Sequence, residues 1–445
     1  MEPKNGFLAL SATLGNVDHF YDWLQRVEEQ RGRKVYKVLH NERWNDLFPW
    51  IWAHDKCAVV PLNPCWILNK LTAMKPLINA QTFPNDLKLL PDHCIMLYDA
   101  LLPHIDESSK QNLDPKTFFQ DRQDALWNLS MRDASAWEKE LKLSLFNMNP
   151  EHQQNVLVSL STESEACFVK SDEMLGQLGE WQYVNRQIVP LTEDLKRRDM
   201  LPAVCFMLSR SGCLFLARSV TKGFQAKEKA KRSDKQWMSK RQKLETTLEE
   251  LKKQYEKCKS KILVDENGEV ISDDKGDIKS EIDANRQKLI EMLKPDPEFC
   301  VAQVSDSDIE DAFGSMPHGK SWRDFCVPYY LIPALRRGIG VHHAGLNKKY
   351  RQAVERLFRL KKLGVVFATT TLAMGINMPA KTSVLIGDAA YLNAMSFRQM
   401  SGRAGRRGFD LRGNTVLMGI PSDKCFRLLK SDLPKLQVRR VVKSP

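Results

Sequence analysis

The hydrophobic pattern of this chain switches between two rhythms. Near the start, residues 7–14, FLALSATL, form an apolar run that breaks into Ser-Ala-Thr. Gly15-Asn16 follow, apolar residues recur at helical spacing from Val17 to Val27, and 35–39 reads as another short strand. Strand, loop, helix and strand are a piece of an α/β sheet. Residues 201–208, LPAVCFML, form a Pro-led apolar run of the kind that fills a strand buried on both faces, with a helix expected over 209–220. The same rhythm returns beyond Tyr329. A helix ends at Gly338, GVHHAGL makes a strand and loop, and 348–361 is a helix. Residues 364–369 and 383–387 are strands, 396–405 open a helix, and 414–418 are a strand. Strands and helices alternating in this way give βαβ units and a parallel sheet.

The other rhythm is helical. Across 41–200, Trp44, Trp50, Trp52 and Trp66 sit among Pro and Asn, and helical patterns follow around 67–80, 93–103 and 115–147. No catalytic constellation stands out here, and the stretch reads as a helical connector packed on the α/β part. From Lys222 to Lys261 the chain is Lys-rich and Glu-spotted. Leu244, Leu248, Leu251 and Tyr255 recur at steps of three and four, so one face is apolar. This predicts an inserted helical hairpin or short coiled coil. Its lysines read first as a solvated face and second as a nucleic-acid contact. Residues 262–274 predict a surface hairpin turning at Glu266-Asn267-Gly268, with helix resuming from Ile278.

Composition narrows the class. A chain of 445 residues, 42% hydrophobic and 27% charged, is an ordinary soluble globular protein with room for two to four domains. Its formal net charge of +12 favours an anionic partner, nucleic acid first. The ten cysteines include no C-x-x-C pair. Cys57 and Cys65, or Cys205 and Cys213, are too far apart for a zinc knuckle, so the set reads as reduced thiols in a cytosolic or nuclear protein. Residues 1–16 do not have the pattern of a signal peptide, and no run approaches the roughly 20 apolar residues of a membrane span.

Two phosphate-binding look-alikes fail on context. Residues 314–321, GSMPHGKS, fit G-x-x-x-x-G-K-[ST]. That motif needs a buried strand delivering a glycine loop to a helix N-terminus. Here SDSDIEDAF precedes it, which is acidic and helix-like. Residues 262–266, ILVDE, resemble the strand that ends in a Mg²⁺-binding acid, but Asn267-Gly268 turn the chain at once. Neither is assigned a phosphate or Mg²⁺ role, and no residue is assigned as a metal ligand.

The strongest chemistry is in 399–408, QMSGRAGRRG. Arg403 and Arg406 lie three apart at an expected helix start, so both can face one way. Gly402 and Gly405 permit close backbone approach, and Gln399 can hydrogen-bond at the same edge. Guanidinium forks bind phosphoryl oxygens bidentately and keep their charge. This stretch resembles motif VI of superfamily 2 helicases. ATTTLAMGINMPA at 368–380 resembles motif V, VHHAGL at 341–346 the strand and loop before it, and PAVCFMLSR at 202–210 the opening strand of the second RecA-like domain. LSATLGN at 10–16 resembles motif III at the end of the first. The wording MGINMP and HHAGL points to the superkiller-like group of DExD/H-box RNA helicases, and the long insertions to its interferon-inducible antiviral branch. The resemblance covers 7–40 and 200–420 well and 41–200 weakly.

That resemblance implies an α/β fold with a RecA-like second domain over 199–431, carrying a basic helical insertion at 222–325. Residues 1–60 would be the remnant of a first RecA-like domain, 61–198 the helical connector and 432–445 a tail. ATP with Mg²⁺ would sit between the two RecA-like domains. Arg403 and Arg406, with Gln399, would reach the γ-phosphate, while Gly375, Asn377, Gly402 and Gly405 would line the nucleotide cleft. Thr370, Thr371 and His343 would meet the RNA backbone, with DNA left open, since backbone contacts read shape. Ser11 and Thr13 would couple hydrolysis to domain closure. The first domain's phosphate loop and DExH box are not found in this chain, so the expected role is the C-terminal half of an ATP-dependent RNA helicase. Its expected setting is antiviral RNA sensing or processing in the cytoplasm, with protein partners and no membrane. The competing reading is a non-catalytic RNA-binding adaptor, and a third takes GSMPHGKS as a working phosphate loop.

Overall fold

The computed structural model describes residues 8, 10–11, 14–39, 47–64, 89–119, 131–259, 274–314, 327–373, 378, 380–410 and 412–430. The described strands are β1 (Leu47–Ala53), β2 (Ala58–Pro61), β3 (Ala203–Met207), β4 (Ile339–His342), β5 (Val365–Ala368), β6 (Thr382–Ile386) and β7 (Gly413–Met418). They form one sheet in the order β2-β1-β7-β6-β3-β5-β4. All neighbours run parallel except the β1–β2 pair. Every residue of β3 to β7 is buried. Helices on both faces leave no polar side to these strands, and their sequences are correspondingly apolar runs.

The described helices are α1 (Val17–Glu29), α2 (Pro91–Leu101), α3 (Glu107–Leu113), α4 (Pro115–Phe118), α5 (Met131–Asn147), α6 (Pro150–Leu178) and α7 (Glu180–Arg197). They continue with α8 (Arg210–Arg232), α9 (Lys235–Lys259), α10 (Asp274–Leu293), α11 (Asp306–Phe313), α12 (Ile332–Arg336), α13 (Lys348–Arg359), α14 (Ala394–Ser401) and α15 (Ser422–Lys430). The expected helices at 17–27, 209–220 and 348–361 correspond to α1, α8 and α13. Those expected at 67–80 and the hairpin at 262–274 lie outside the described residues. Of GSMPHGKS only Gly314 is described. It caps α11, so a helix and not a buried strand leads into that stretch.

The sheet corrects the expected boundary at residue 60. β1 pairs with β7 from Leu47↔Gly413 to Ile51↔Leu417, and the Trp50 indole N–H donates to Asn414 Oδ1 at 2.9 Å. Residues 47–61 therefore belong to the same sheet as the 199–431 region. The connector helices clamp this addition. Trp52 Nε1 donates to Gln187 Oε1 at 3.1 Å, and buried Asp194 accepts the Val59 N–H at 2.8 Å. Residues 35–39, expected as a strand, join no strand among the described residues, and Tyr36 and Val38 are exposed. Leu8 and Leu10 of the expected first strand are exposed as well. An alternating pattern makes a strand only where a neighbouring strand accepts its hydrogen bonds.

The expected insertion at 222–325 is also shorter than predicted. The buried residues of α8 recur as Cys213, Leu216, Ala217, Val220, Thr221, Phe224 and Glu228, so the helix stays on the sheet past residue 222. At Glu228 a buried polar cluster marks its foot. Glu228 Oε2 accepts from Arg337, Oε1 accepts the Asp296 N–H at 2.7 Å, and Arg232 pairs with Oε1 at 2.8 Å. Arg337 also donates to the Phe299 carbonyl at 2.8 Å. The outgoing and returning chain are thus tied together. Beyond Ser233-Asp234, α9 and α10 pack on each other as a hairpin, with Leu248 and Leu251 buried as the periodicity predicted.

One buried histidine gives the fold a pH dependence. His93 in α2 lies against the Phe48 ring, 4.9 Å between centroids, and accepts the Leu90 N–H at Nδ1. Burial lowers its pKa to about 4, with nearby Asp92 raising it and Arg412 lowering it. The unfolded chain then binds more protons than the folded one between about pH 6.5 and 4, so stability is full above 6.5 and is lost as pH falls. A loss on the order of 3 kcal/mol is expected across that window. Urea midpoints at several pH values check it. His93→Phe should flatten the dependence, and an unchanged slope would remove His93 as its source.

Candidate functional site

The site is built where two loops meet. The first leaves β5. Thr370–Leu372 form a single 3₁₀ turn, and Leu372 and Ala373 are buried beneath it. Thr370 is exposed and Thr371 half-buried. The Thr371 hydroxyl meets His342 Nδ1 at 3.0 Å, and His342 Nε2 meets Glu355 Oε1 at 2.9 Å. A carboxylate only accepts, so Nε2 carries the proton and Nδ1 accepts from Thr371. Burial lowers the His342 pKa against the opposing pull of Glu355, which keeps the ring neutral and this chain of donors directed. The Thr371 hydroxyl is thereby fixed from the sheet side.

Sequence reasoning selected His343 and missed His342. The structure buries both. His343 Nδ1 accepts the Gly345 N–H at 3.1 Å, which shapes the turn after β4, and burial lowers its pKa, helped by Arg210. The available signal was position: His342 is the last residue of β4, level with Ala368 at the end of β5.

The second loop follows α14. This helix opens with Asn393 accepting the Ser396 N–H at 2.9 Å and ends at Ser401. Arg403 and Arg406 therefore follow a helix end, whereas 396–405 had been expected to open one. The reason is a backbone bridge: Ala380 N–H donates to Arg403 O at 3.0 Å and Gly405 N–H to Ala380 O at 2.8 Å. Gly405 has φ +86°, a left-handed conformation that suits glycine. Gly402 has an ordinary helical φ of −59°.

The two arginines have different settings. Arg403 donates from Nε and Nη2 to the Ala373 carbonyl at 3.1 and 2.6 Å, binding the second loop to the first. Burial alone lowers its pKa. Arg406 forms a two-pronged pair with Asp410 at 2.8 and 2.7 Å, and Asp410 also accepts the Arg406 backbone N–H at 2.8 Å. The Asp410 side chain is 3% exposed. Burial pushes its pKa up, but the Arg406 hydrogen bonds prevail and hold it below the usual range. The same bonds raise the pKa of Arg406. Asp410 was not among the sequence candidates. Gln399 is half-buried on α14 and Ser11 is exposed. Gly375, Asn377 and Thr13 lie outside the described residues.

Parallel strands with an arginine loop fastened to the turn after β5 define the C-terminal domain of a helicase. Residues 329–408 match the model of the helicase conserved C-terminal domain. The chain is 31% identical over 441 residues to an uncharacterized helicase of Dictyostelium discoideum, covering 98% of this chain and 22% of that protein. It is 30% identical over 496 residues to the Homo sapiens protein named "Probable ATP-dependent RNA helicase DDX60-like", covering 97% of this chain and 26% of that one. A shorter stretch of 120 residues is 42% identical to the exosome RNA helicase MTR4 of Homo sapiens, covering 25% of this chain and 11% of that protein. The chain thus carries a helicase C-terminal domain of the superkiller-like kind, and spans about a quarter of the length of the relatives it matches end to end. Among the described residues no helix is long and apolar enough to cross a membrane.

Proposed function

We propose that this chain supplies the C-terminal RecA-like portion of an ATP-dependent RNA helicase, and that it works in antiviral RNA sensing or processing. The observation that carries the motor reading is the Arg403–Ala373 tie. It joins a loop rich in guanidinium groups to the turn that presents the Thr370 hydroxyl. A shift of one loop is therefore felt by the other. The long hairpin between β3 and β4, and the similarity to the DDX60-like protein, support the branch assignment.

The described residues fit the phosphate end of a nucleotide. Arg406 and Arg403 are half-buried and would hold the γ-phosphate oxygens through N–H donors, with ATP supplying the phosphoryl group whose transfer to water releases energy. On the RNA side Thr370 is exposed and its hydroxyl is open to a phosphate oxygen. Thr371 serves from behind, through His342.

Thr370→Ala should weaken RNA binding about tenfold or more, a hydrogen bond to a charged phosphate being worth about 1.5–3 kcal/mol, and leave the urea midpoint unchanged. Fluorescence anisotropy with a short labelled RNA measures it. Wild-type affinity in the variant would take the turn after β5 off the RNA path.

A further inference from the structure

The hairpin carries a charged face that the motor does not use. With 3.6 residues per turn, Lys235, Lys240, Lys243 and Lys253 fall within an arc of roughly 140° on α9, beside the apolar arc of Leu244, Leu248, Leu251 and Tyr255, which faces α10. All four lysines are exposed. Glu245, Glu249 and Glu256 collect on a separate flank, where Glu245 pairs with Arg241 at 2.8 Å. Within the lysine arc Glu250 is the one acid of α9.

The lysines of this face differ in partnering from those at the foot of the hairpin. At the foot of the hairpin lysines are paired: Lys227 with Glu193 at 2.5 Å, and Lys231 with Asp296 at 2.9 Å and Glu298 at 2.6 Å. Lys235, Lys240, Lys243 and Lys253 have no such carboxylate among the described residues. Lys240 and Lys243, three apart, repel each other. A face of unpaired like charges is satisfied by a polyanion.

We propose that the outward face of α9 is a second nucleic-acid contact, separate from the Thr370 turn, that takes the sugar-phosphate backbone of RNA. Its span from Lys235 to Lys253 is about 27 Å at 1.5 Å per residue, long enough to follow several phosphates. RNA fits better than a protein partner because the arc offers lysines with Ser239, Thr246 and Gln254 between them and no large exposed apolar side chain. Exposed Met238 lies on the acidic flank. Protein interfaces bury apolar anchors at their centre and are poor in lysine. The Glu228–Arg337 cluster holds the foot of this arm, so RNA bound along it keeps a defined position relative to the sheet.

The test uses the whole chain and a short labelled RNA, with affinity followed between about 50 and 200 mM salt. The variant is Lys235→Gln/Lys240→Gln/Lys243→Gln/Lys253→Gln, whose helix content is checked by circular dichroism. The expected result is a binding loss of about tenfold or more and a log–log salt slope shallower by about two to three, from about 0.7 per phosphate on a single strand. Lys279→Gln/Lys288→Gln on α10, set against Lys240→Gln/Lys243→Gln on α9, controls for net charge. An equal loss in that control, or an unchanged slope in the α9 variant, overturns the proposal. So does displacement of the RNA by a polyglutamate peptide at equal charge concentration, which would mark the face as a protein contact. A DNA strand of the same sequence, bound equally, supports backbone recognition. Thr370→Ala separates the two readings, because each variant fails or succeeds without the other.

Discussion

Arg406→Ala, placed in a motor that contains this segment, should lower RNA-stimulated ATP turnover about a thousandfold or more and change RNA affinity little. Arginines that stabilise the charge of a transferring phosphoryl group contribute about 10³–10⁵ in rate. The local geometry predicts the separation from binding. Arg406 is anchored within its own loop by Asp410. Arg403 differs, because its guanidinium holds the Ala373 carbonyl. Arg403→Ala should therefore reduce turnover and RNA affinity together. Steady-state hydrolysis and anisotropy on the same preparations distinguish the two. Turnover within threefold of wild type in the Arg406 variant would end its assignment to the phosphate.

Asp410 sets the terms of that experiment. Its carboxylate holds the Arg406 fork and the Arg406 backbone N–H at once. A phosphate that takes the same edge of the fork exchanges one anionic partner for another. The backbone bond keeps the loop in place during that exchange.

The second large effect concerns stability. Arg337→Met should destabilise the fold by about 2–3 kcal/mol, since Glu228 loses one charged partner but keeps Arg232 and the Asp296 N–H. Glu228 and Arg337 side chains are 6% and 5% exposed, so water cannot take over the lost partner. Removing both charges, in Arg337→Met/Glu228→Met, should restore a good part of the loss. Urea unfolding of the single and double variants measures this. A single variant within about 1 kcal/mol of wild type would show that other contacts hold the foot of the hairpin.

Much of this architecture was legible because burial on both faces writes a plain signature. Residues 203–207 and 365–368 are continuous apolar runs and became central strands. β1 was not legible. LFPWIWA is equally apolar, but Pro49 and the tryptophans around it suggested a connector, and its partner Gly413–Met418 lies far away in sequence. No local pattern reveals which distant strand will accept a hydrogen-bond ladder. The arginine loop shows the same limit. Its residue types were readable, and their chemistry with them. The end of α14 was set by the Ala380–Ala404 bridge, a contact between separate stretches. Asp410 and His342 escaped for a related reason: each acts through a partner that only the fold brings near.

The outer strands of the sheet bear on how the chain behaves in concentrated solution. β2 and β4 are four residues each, and β2 closes on Pro61, whose nitrogen has no hydrogen to donate. Short borders of this kind give an incoming chain little to template on, so cross-β growth is discouraged from both sides. Leu8, Leu10, Tyr36 and Val38 add exposed apolar surface. Self-association of the purified chain should therefore be of the loose, apolar kind that mild detergent reverses, and should leave thioflavin fluorescence at its baseline.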